Sequence, residues 1–267
     1  MSNRSPAHLA VRSARPADAA AIVGVIRSGF EQRILDLTIY GAAGVIDWVA
    51  THLCLPHDAA ERLYMLANEG PTAIGCVELT PRGDHLFLSY VCVLPSHRRT
   101  GVGSVLLAAA VRDVRSRTQS TLRLDVFDGN SAGMAWYQGL GFQQTGTAYL
   151  CDASDTLPEP KIAARVSGLP VANAAHEAFG FSEFQVETES GATSVGRLGD
   201  RWWRLATQSG TGMEVLDDHD LLSTLRELDP HRGLLIQLDS VTPQASVVQL
   251  LKIHRMEIEI DRLLEQL

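Results

Sequence analysis

The sequence predicts an α+β fold, with helices packed on a mixed sheet, followed by a second and smaller α/β domain. Short runs rich in β-branched and apolar residues alternate with stretches in which apolar residues recur at helical spacing. A glycine-containing loop joins one of these strands directly to a helix. A polar, proline-containing stretch at 152–160 separates a first domain, 1–152, from a second domain, 161–267.

The first domain opens with a strand at 9–15 and continues with two helical stretches. Asp18 can cap the first helix, in which Ile22 and Ile26 belong to an apolar stripe, and the second stretch covers 41–53. The later elements follow in the order strand 62–67, strand 72–79, strand 86–93, helix 102–114, strand 121–127, a helix that ends at Gly139, and a strand that includes 148–150. The predicted order of elements in the first domain is therefore β-α-α-β-β-β-α-β-α-β.

The loop at 93–103 is the first candidate binding site. A proline ends the strand before it, because proline lacks a backbone N–H. Gly101 and Gly103 let the backbone approach a ligand closely, and the first N–H groups of the new helix have no partner within it. With Arg98 and Arg99 beside it, this loop is typical of a phosphate site. The alternative is a tight turn whose glycines serve only geometry.

A second motif accompanies the helix that ends at Gly139. The loop fits the pattern Arg/Gln-x-x-Gly-x-Gly/Ala, and the later segment fits Asn-x-x-Ala-x-x-Leu-Tyr-x-x-x-Gly-Phe. The matching positions are Arg98, Gly101 and Gly103 in the first motif and Asn130, Tyr137, Gly141 and Phe142 in the second. With both motifs in this order, the chain resembles the GCN5-related N-acetyltransferase (GNAT) family. It departs from the family pattern at Gly133, where alanine is usual, and at Trp136, where leucine is usual.

The resemblance implies a GNAT fold with a splayed central sheet, and acetyl-CoA or another acyl-CoA as co-substrate. Backbone N–H groups from Arg99 to Ser104 would hold the pyrophosphate, and the strand backbone at 92–94 would bind the pantetheine and the acyl carbonyl. Asn130 corresponds to an asparagine that contacts the pantetheine arm, and it can also cap the helix. The residues expected to contact CoA are Cys92, Val93, Leu94, Arg98, Arg99, Thr100, Gly101, Val102, Gly103, Ser104, Asn130 and Tyr137.

The resemblance also assigns a catalytic role to Tyr137, as the general acid that protonates the departing CoA thiolate. The general base is less well determined. Glu78 is the first candidate because it lies in the strand beside the loop strand, and Asp125 is the alternative. His85 and Glu31 are further candidates, and for each of the four a surface or structural role is the commoner one.

Composition and charge narrow the classes of function. The chain has 267 residues, 45% of them hydrophobic and 20% charged, which allows a sizeable core. A net charge of −8 argues against nucleic-acid binding. No apolar run is long enough to cross a bilayer or to act as a signal peptide, so the expected compartment is the cytoplasm. The four cysteines are scattered, Cys76 and Cys92 are expected to pack as small apolar residues, and no metal site is expected.

The second domain repeats the order of elements found at 62–150. Its predicted elements are a helix at 172–179, strands at 181–187, 193–198 and 202–206, a helix at 217–228, a strand at 233–238, a helix at 244–254 and a strand at 256–260. For the segment from 256, the alternative interpretation is a continuous helix to Leu267. It is therefore either a truncated GNAT-like half or an accessory domain. The loop at 208–213 has two glycines and no arginine, which predicts a single acyl-CoA site, in the first half.

These observations predict an acyl-CoA-dependent N-acyltransferase, most simply an N-acetyltransferase, that acts on an amine of a small molecule or peptide in a direct ternary complex. One alternative is a non-catalytic acyl-CoA-binding module with a protein partner. Another is a transferase of longer acyl chains. The apolar segment 40–48 can line a pocket for such a chain or for an apolar acceptor, although packing against the sheet is the commoner role of such a segment. The chain is expected to be a monomer with pseudo-dimeric halves or a homodimer, without nucleic-acid or membrane partners.

Overall fold

The computed structural model describes residues 9–56, 59–114, 119–205, 213–241 and 246–267, and in these residues twelve strands form one sheet. The strands are β1 (Leu9–Ser13), β2 (Leu63–Glu69), β3 (Thr72–Arg82), β4 (His85–Val93), β5 (Thr121–Phe127), β6 (Gln143–Asp152), β7 (Arg165–Ser167), β8 (Phe181–Thr188), β9 (Gly191–Leu198), β10 (Trp202–Leu205), β11 (Gly233–Leu238) and β12 (Val248–Glu259). The helices are α1 (Ala19–Arg27), α2 (Gln32–Leu35), α3 (Val45–His52), α4 (Val102–Val114), α5 (Ser131–Gly139), α6 (Leu169–Phe179), α7 (His219–Leu228) and α8 (Ile260–Gln266).

The order of strands reads the same way from both edges of the sheet. It is β1-β2-β3-β4-β5-β12-β6-β11-β10-β9-β8-β7. Strands β4 and β5 are parallel, as are β10 and β11 at the equivalent place, and all other neighbours are antiparallel. At the centre, β12 lies between β5 and β6, and β6 pairs with β11. Two halves of the same topology therefore exchange their last strands. The GNAT-like repeat is confirmed in its strand order.

The helix predicted at 244–254 is wrong. Residues 248–254 belong to β12, and 244–245 lie outside the described residues. Two register shifts on β12, one near Leu251 and one near Met256, interrupt the two-residue alternation that identifies a strand in sequence. The strand predicted from 256 is confirmed as far as Glu259, and a helix begins at Ile260. The loop predicted at 208–213 lies outside the described residues except for Met213.

The central sheet is splayed, as the resemblance implies. Strands β4 and β5 pair from His85 and Thr121 as far as Leu88 and Leu124. Beyond this point β4 continues to Val93 and β5 to Phe127, so their carboxyl ends diverge and open a gap in the sheet. Ligands of open sheets bind where neighbouring strands separate in this way.

The core crosses the boundary between the two halves. One apolar cluster packs α1 and α3 against the sheet and includes Tyr40 and Cys92 from the first half together with Trp202 and Leu235 from the second. A second cluster lies under α4 and α8, and a third lies within the second half. The division at 152–160, where Ser154–Thr156 form a 3-10 turn, stays a prediction.

Candidate active site

A cavity of about 450 Å³ opens where β4 and β5 diverge. Its walls are the end of α1, the outer part of β4, the loop before α4 and the start of α5. The predicted CoA-contact residues that line it are Cys92, Val93, Arg98, Arg99, Gly101, Gly103, Ser104, Asn130 and Tyr137. Leu94, Thr100 and Val102 do not line it. Both sequence motifs therefore meet at one cavity.

The loop before α4 has the geometry of an anion site. Arg99 and Gly101 both adopt left-handed backbone conformations, with φ of 63° and 85°. The N–H of Val105 bonds to the carbonyl of Gly101 over 3.1 Å. The N–H groups of 102–104 precede this bond, so they point out of the helix end, where they and the helix dipole favour negative charge. This cradle fits the pyrophosphate of CoA, with the exposed Arg99 at its rim.

Arg98 fixes the loop to the rest of the fold. Its Nε donates to the carbonyl of Val93 over 3.0 Å, and its Nη2 donates to the carbonyl of Ser28 over 3.3 Å. The Thr100 hydroxyl similarly donates to the carbonyl of His97 over 2.6 Å. These bonds tie the loop to β4 and to the end of α1. The two hydrogen bonds of Arg98 therefore give this arginine a structural role, in addition to any contact with a phosphate group.

The backbone at 92–94 was predicted to bind the pantetheine and the acyl carbonyl, and at Leu94 the structure differs from this prediction. The Leu94 N–H donates to the carbonyl of Ile74 on β3 over 2.8 Å, so it is not free for a ligand. Successive N–H groups of a strand point to opposite edges, which directs those of Val91 and Val93 toward the gap beside β5. The donors for an acyl carbonyl are therefore expected one residue to either side of Cys92.

Tyr137 projects from α5 to the cavity. Its ring packs against Trp136 at 5.0 Å and Phe142 at 5.5 Å between centroids. Asn130 caps this helix, since its Oδ1 accepts from the N–H of Gly133 over 2.9 Å. Burial, reinforced by the nearby Cys92, raises the pKa of the Tyr137 phenol well above its ordinary value. The phenol therefore stays protonated at neutral pH and can donate a proton.

Cys92 is buried at the same cavity but is a poor nucleophile. Burial raises the pKa of its thiol to about 12, although Arg98 acts in the opposite direction. The reactive form of cysteine is the thiolate, which is scarce at neutral pH under these conditions. This supports a direct transfer rather than a covalent cysteine intermediate. Cys76 is also buried, as expected, and all four cysteines are free.

A second cavity of about 240 Å³ adjoins the first. The two share Phe30, Val91, Asn130 and Tyr137 as lining residues. The second cavity continues into the gap between β4 and β5, and strands β10, β11 and β12 of the second half form part of its wall. A molecule in this cavity would also lie against Tyr137.

Asp125 lines the second cavity from β5. Its carboxylate makes no ion pair or hydrogen bond with any residue that the structure describes. Asp125 is exposed at the mouth of the gap, yet partial desolvation by its surroundings raises the pKa of its carboxyl above the ordinary value, against the opposing effects of Arg255 and Arg82. A carboxylate with a raised pKa, facing a cavity, is suited to accept a proton.

Glu78 lies elsewhere. Its side chain is fully buried, accepts a hydrogen bond of 2.5 Å from the Tyr40 hydroxyl and forms an ion pair with Arg62. It lines neither of the two cavities. His85 and Glu31 do not line them either: His85 bonds to its neighbour Asp84, and the exposed Glu31 pairs with Arg33.

The apolar segment 40–48 packs inside the fold. Tyr40 and Val45 are fully buried, and a Cβ added at Gly44 would clash with the carbonyl oxygen of Ala178 on α6. No residue of this segment lines either cavity, so it offers no pocket for a longer acyl chain there.

Several lining residues were not predicted from the sequence. They are Gly29, Phe30, His97 and Trp136 in the first cavity and Tyr90, Arg62, Arg204 and Gln237 in the second. Trp136 stands at a motif position and could have been found. Arg204 and Gln237 come from the second half, and only the exchanged sheet brings them to the gap.

The residues that the structure describes contain no group of three or more His, Cys, Asp or Glu side chains placed to hold a metal ion. None of their helices is long and apolar enough to span a membrane.

A splayed mixed sheet, a left-handed glycine loop entering a helix and a tyrosine at the same cavity are the features that the resemblance to the GNAT family implies. Residues 37–142 match the model of the acetyltransferase (GNAT) family, which uses acetyl-CoA. Over these residues the chain is similar to the GNAT family.

Solved structures support the tandem arrangement of the whole chain. A tandem GNAT protein from the clavulanic acid biosynthesis pathway aligns with a TM-score of 0.62 at 14% identity, over 95% of this chain and 99% of its own. A putative acetyltransferase from Pyrococcus horikoshii aligns with a TM-score of 0.63 at 15% identity, over 97% and 92%. A GCN5-related N-acetyltransferase from Sphaerobacter thermophilus gives 0.60 at 15% identity, over 94% and 96%. These likenesses concern the fold alone. No curated protein matches the chain significantly.

Proposed function

We propose that this protein is an acetyl-CoA-dependent N-acyltransferase that moves the acetyl group to the amine of a small molecule by direct attack in a ternary complex. The observation that carries the proposal is the meeting of the phosphate cradle, the open edge of β4 and Tyr137 at one cavity. The adjoining second cavity gives the acceptor its own place next to Tyr137.

Acetyl-CoA would lie in the first cavity with its pyrophosphate on the N–H groups of 99–104. The thioester carbonyl would accept a hydrogen bond from the backbone N–H of Val91 or Val93 at the open edge of β4. Such a donor stabilises the negative charge that develops on the carbonyl oxygen during attack. The buried surroundings strengthen this bond, because few water molecules compete for it.

The chemistry requires two proton transfers. The neutral amine nitrogen of the acceptor attacks the thioester carbon, an amide bond forms and the carbon–sulfur bond breaks. The amine loses one proton, which Asp125 would accept directly or through water, and the thiolate gains one proton from Tyr137. The tyrosine is then restored from solvent.

Asp125 is a better candidate for the base than Glu78. It faces the cavity where the acceptor would lie, whereas Glu78 is enclosed and already neutralised by Arg62. The raised pKa of Asp125 also makes it a stronger base than an ordinary aspartate. Glu78 serves better as the buried anchor of the strand pair β2–β3.

The test combines binding with turnover. Calorimetry with acetyl-CoA should show binding, and a panel of small primary amines should produce amine-dependent release of the CoA thiol, with the acetylated amine identified by mass spectrometry. Binding without turnover on any amine would overturn the enzymatic proposal and favour a non-catalytic acyl-CoA-binding module. Absence of binding would overturn both. Propionyl-CoA and longer acyl-CoAs tested in parallel would define the chain length.

The protein is proposed to act as a monomer. The exchanged strands β6 and β12 already join two equivalent halves in one sheet, so the second half takes the place of a second subunit. Light scattering after size exclusion should give the mass of one chain, and the mass of two chains would contradict this.

A further inference from the structure

Arg204 places a cation on an otherwise apolar face of β10. Trp203 and Leu205 point into the third core, within the second half. Trp202 and Arg204 alternate with them and point to the opposite face, where Trp202 packs with the helices of the first half. Arg204 is half-buried there and lines the second cavity.

The Arg204 guanidinium makes no ion pair or hydrogen bond with any residue in the part of the chain that the structure describes. The nearby Arg62, which lines the same cavity, is already paired with Glu78. Burial is the largest effect on the pKa of Arg204 and lowers it, Arg62 also lowers it, and Tyr90 and Glu183 act in the opposite direction. A half-buried cation without a carboxylate partner is costly unless a ligand supplies the partner.

The cavity has opposite charges on its two walls. Arg204 lies on the wall formed by the second half, Asp125 lies on the wall formed by β5, and Tyr137 lines the same cavity. The two side chains do not pair with each other. A ligand with one cationic and one anionic group would satisfy both.

From this arrangement we infer that the acceptor is a small amine that also bears a carboxylate, such as an α-amino acid, and that Arg204 binds that carboxylate. Arginine binds carboxylates through two parallel hydrogen bonds, which fix orientation as well as affinity. The amine then lies toward Asp125 and the thioester. A volume of about 240 Å³ suits a small molecule. The second half of the chain thereby selects the acceptor for the site in the first half.

This inference rests on the proposed transferase function, and the experiment separates the two. The wild-type protein and acetyl-CoA are tested with a panel of amino acids and with the matching carboxamides, which keep the amine and lack the negative charge. The amino acids should be acetylated with kcat/KM at least about tenfold higher than their carboxamides. Equal kcat/KM for amino acids and carboxamides would overturn the inference and leave the transferase function intact. Acetylation only of carboxamides and other amines that lack a carboxylate would do the same. Failure of acetyl-CoA to bind would instead remove the proposed function itself.

Variants of Arg204 test the residue. Arg204→Gln should raise KM for the amino acid about 10–100-fold and leave KM for acetyl-CoA unchanged, because the lost contact is with the acceptor alone. Arg204→Lys should recover part of the loss. Arg165→Gln, which removes an exposed arginine of β7, is the matched control and should behave as wild type. An unchanged ratio of amino acid to carboxamide in Arg204→Gln would overturn the role of Arg204. If that variant does not fold, the wild-type panel still decides the inference.

Discussion

The hydroxyl of Tyr40 donates a hydrogen bond of 2.5 Å to one carboxylate oxygen of Glu78. Arg62 donates to the other carboxylate oxygen. Tyr40 and Glu78 are both fully buried, and burial with the nearby carboxylate raises the pKa of the Tyr40 phenol well above its ordinary value. The phenol therefore remains a donor at any pH of interest. Glu78 therefore accepts hydrogen bonds from Tyr40 and Arg62, and these bonds join the segment before α3 to strands β2 and β3.

Glu78→Gln should destabilise the protein by about 3 kcal/mol, because it leaves the Arg62 guanidinium without its carboxylate while Tyr40 can still donate to the amide oxygen. Urea unfolding measures the change. The double variant Glu78→Leu with Arg62→Met removes both charges and should be more stable than Glu78→Leu alone. A Glu78→Gln protein of wild-type stability with lost turnover would instead identify Glu78 as the base.

Asp125→Asn should lower kcat by about 100-fold or more, because the amine loses its proton acceptor. In the wild type, kcat/KM should fall as the pH drops through the pKa of Asp125, which lies above the ordinary value of about 4. The variant should lose this acidic limb. A pH–rate profile from pH 4 to 9 measures both effects, and an unchanged limb would exclude Asp125.

The same raised pKa predicts the sign of a stability effect. A carboxyl that binds its proton more tightly in the folded state than in the unfolded state costs stability once it ionises. The contribution of Asp125 to stability should therefore fall as the pH rises from about 4 through its raised pKa. Asp125→Asn should consequently be more stable than wild type at pH 7 while being less active. Thermal melting at pH 4 and pH 7 gives the comparison.

The parts of the site that could be predicted are those formed by residues close together in the sequence. The glycines of the loop, the start of α4 and the tyrosine of α5 depend on residues close together in the chain, and their sequence pattern predicts both the cavity and its phosphate end. Propensity and spacing act over the same short distances. The left-handed conformation of Arg99 was not predictable, because a non-glycine residue adopts it only when the surrounding structure imposes it.

Long-range pairing explains what could not be predicted. Strand β12 pairs with β5, more than a hundred residues earlier, and its register shifts hide the alternation that would identify it. The arrival of Arg204 at the acceptor cavity depends on that exchange of strands. The burial of Glu78 likewise depends on Tyr40, which the sequence places in an unremarkable apolar segment.

Gly101→Ala should destabilise the protein by about 1 kcal/mol and raise KM for acetyl-CoA. Gly101 has a φ of 85°, which alanine adopts only with strain, although the space around it is open. Relief of that strain would move the N–H groups of the phosphate cradle. Gly24→Ala is the matched control: it lies inside α1 with nothing within 4 Å of an added Cβ, and should stabilise by about 0.5–1 kcal/mol. Equal effects of the two variants would contradict the strain at Gly101.

Tyr137→Phe tests the general acid. The substitution keeps the ring that packs against Trp136 and Phe142 and removes only the hydroxyl, so the fold and the binding of acetyl-CoA should persist. Because the departing thiolate then lacks its proton donor, kcat should fall by about 100-fold or more, while the Kd for acetyl-CoA from calorimetry stays within about twofold. Tyr149→Phe, a half-buried tyrosine of β6 outside both cavities, is the matched control and should retain wild-type kcat. If Tyr137→Phe turns over as fast as wild type, the thiolate receives its proton from another group. A large loss of acetyl-CoA affinity would instead make Tyr137 a binding residue.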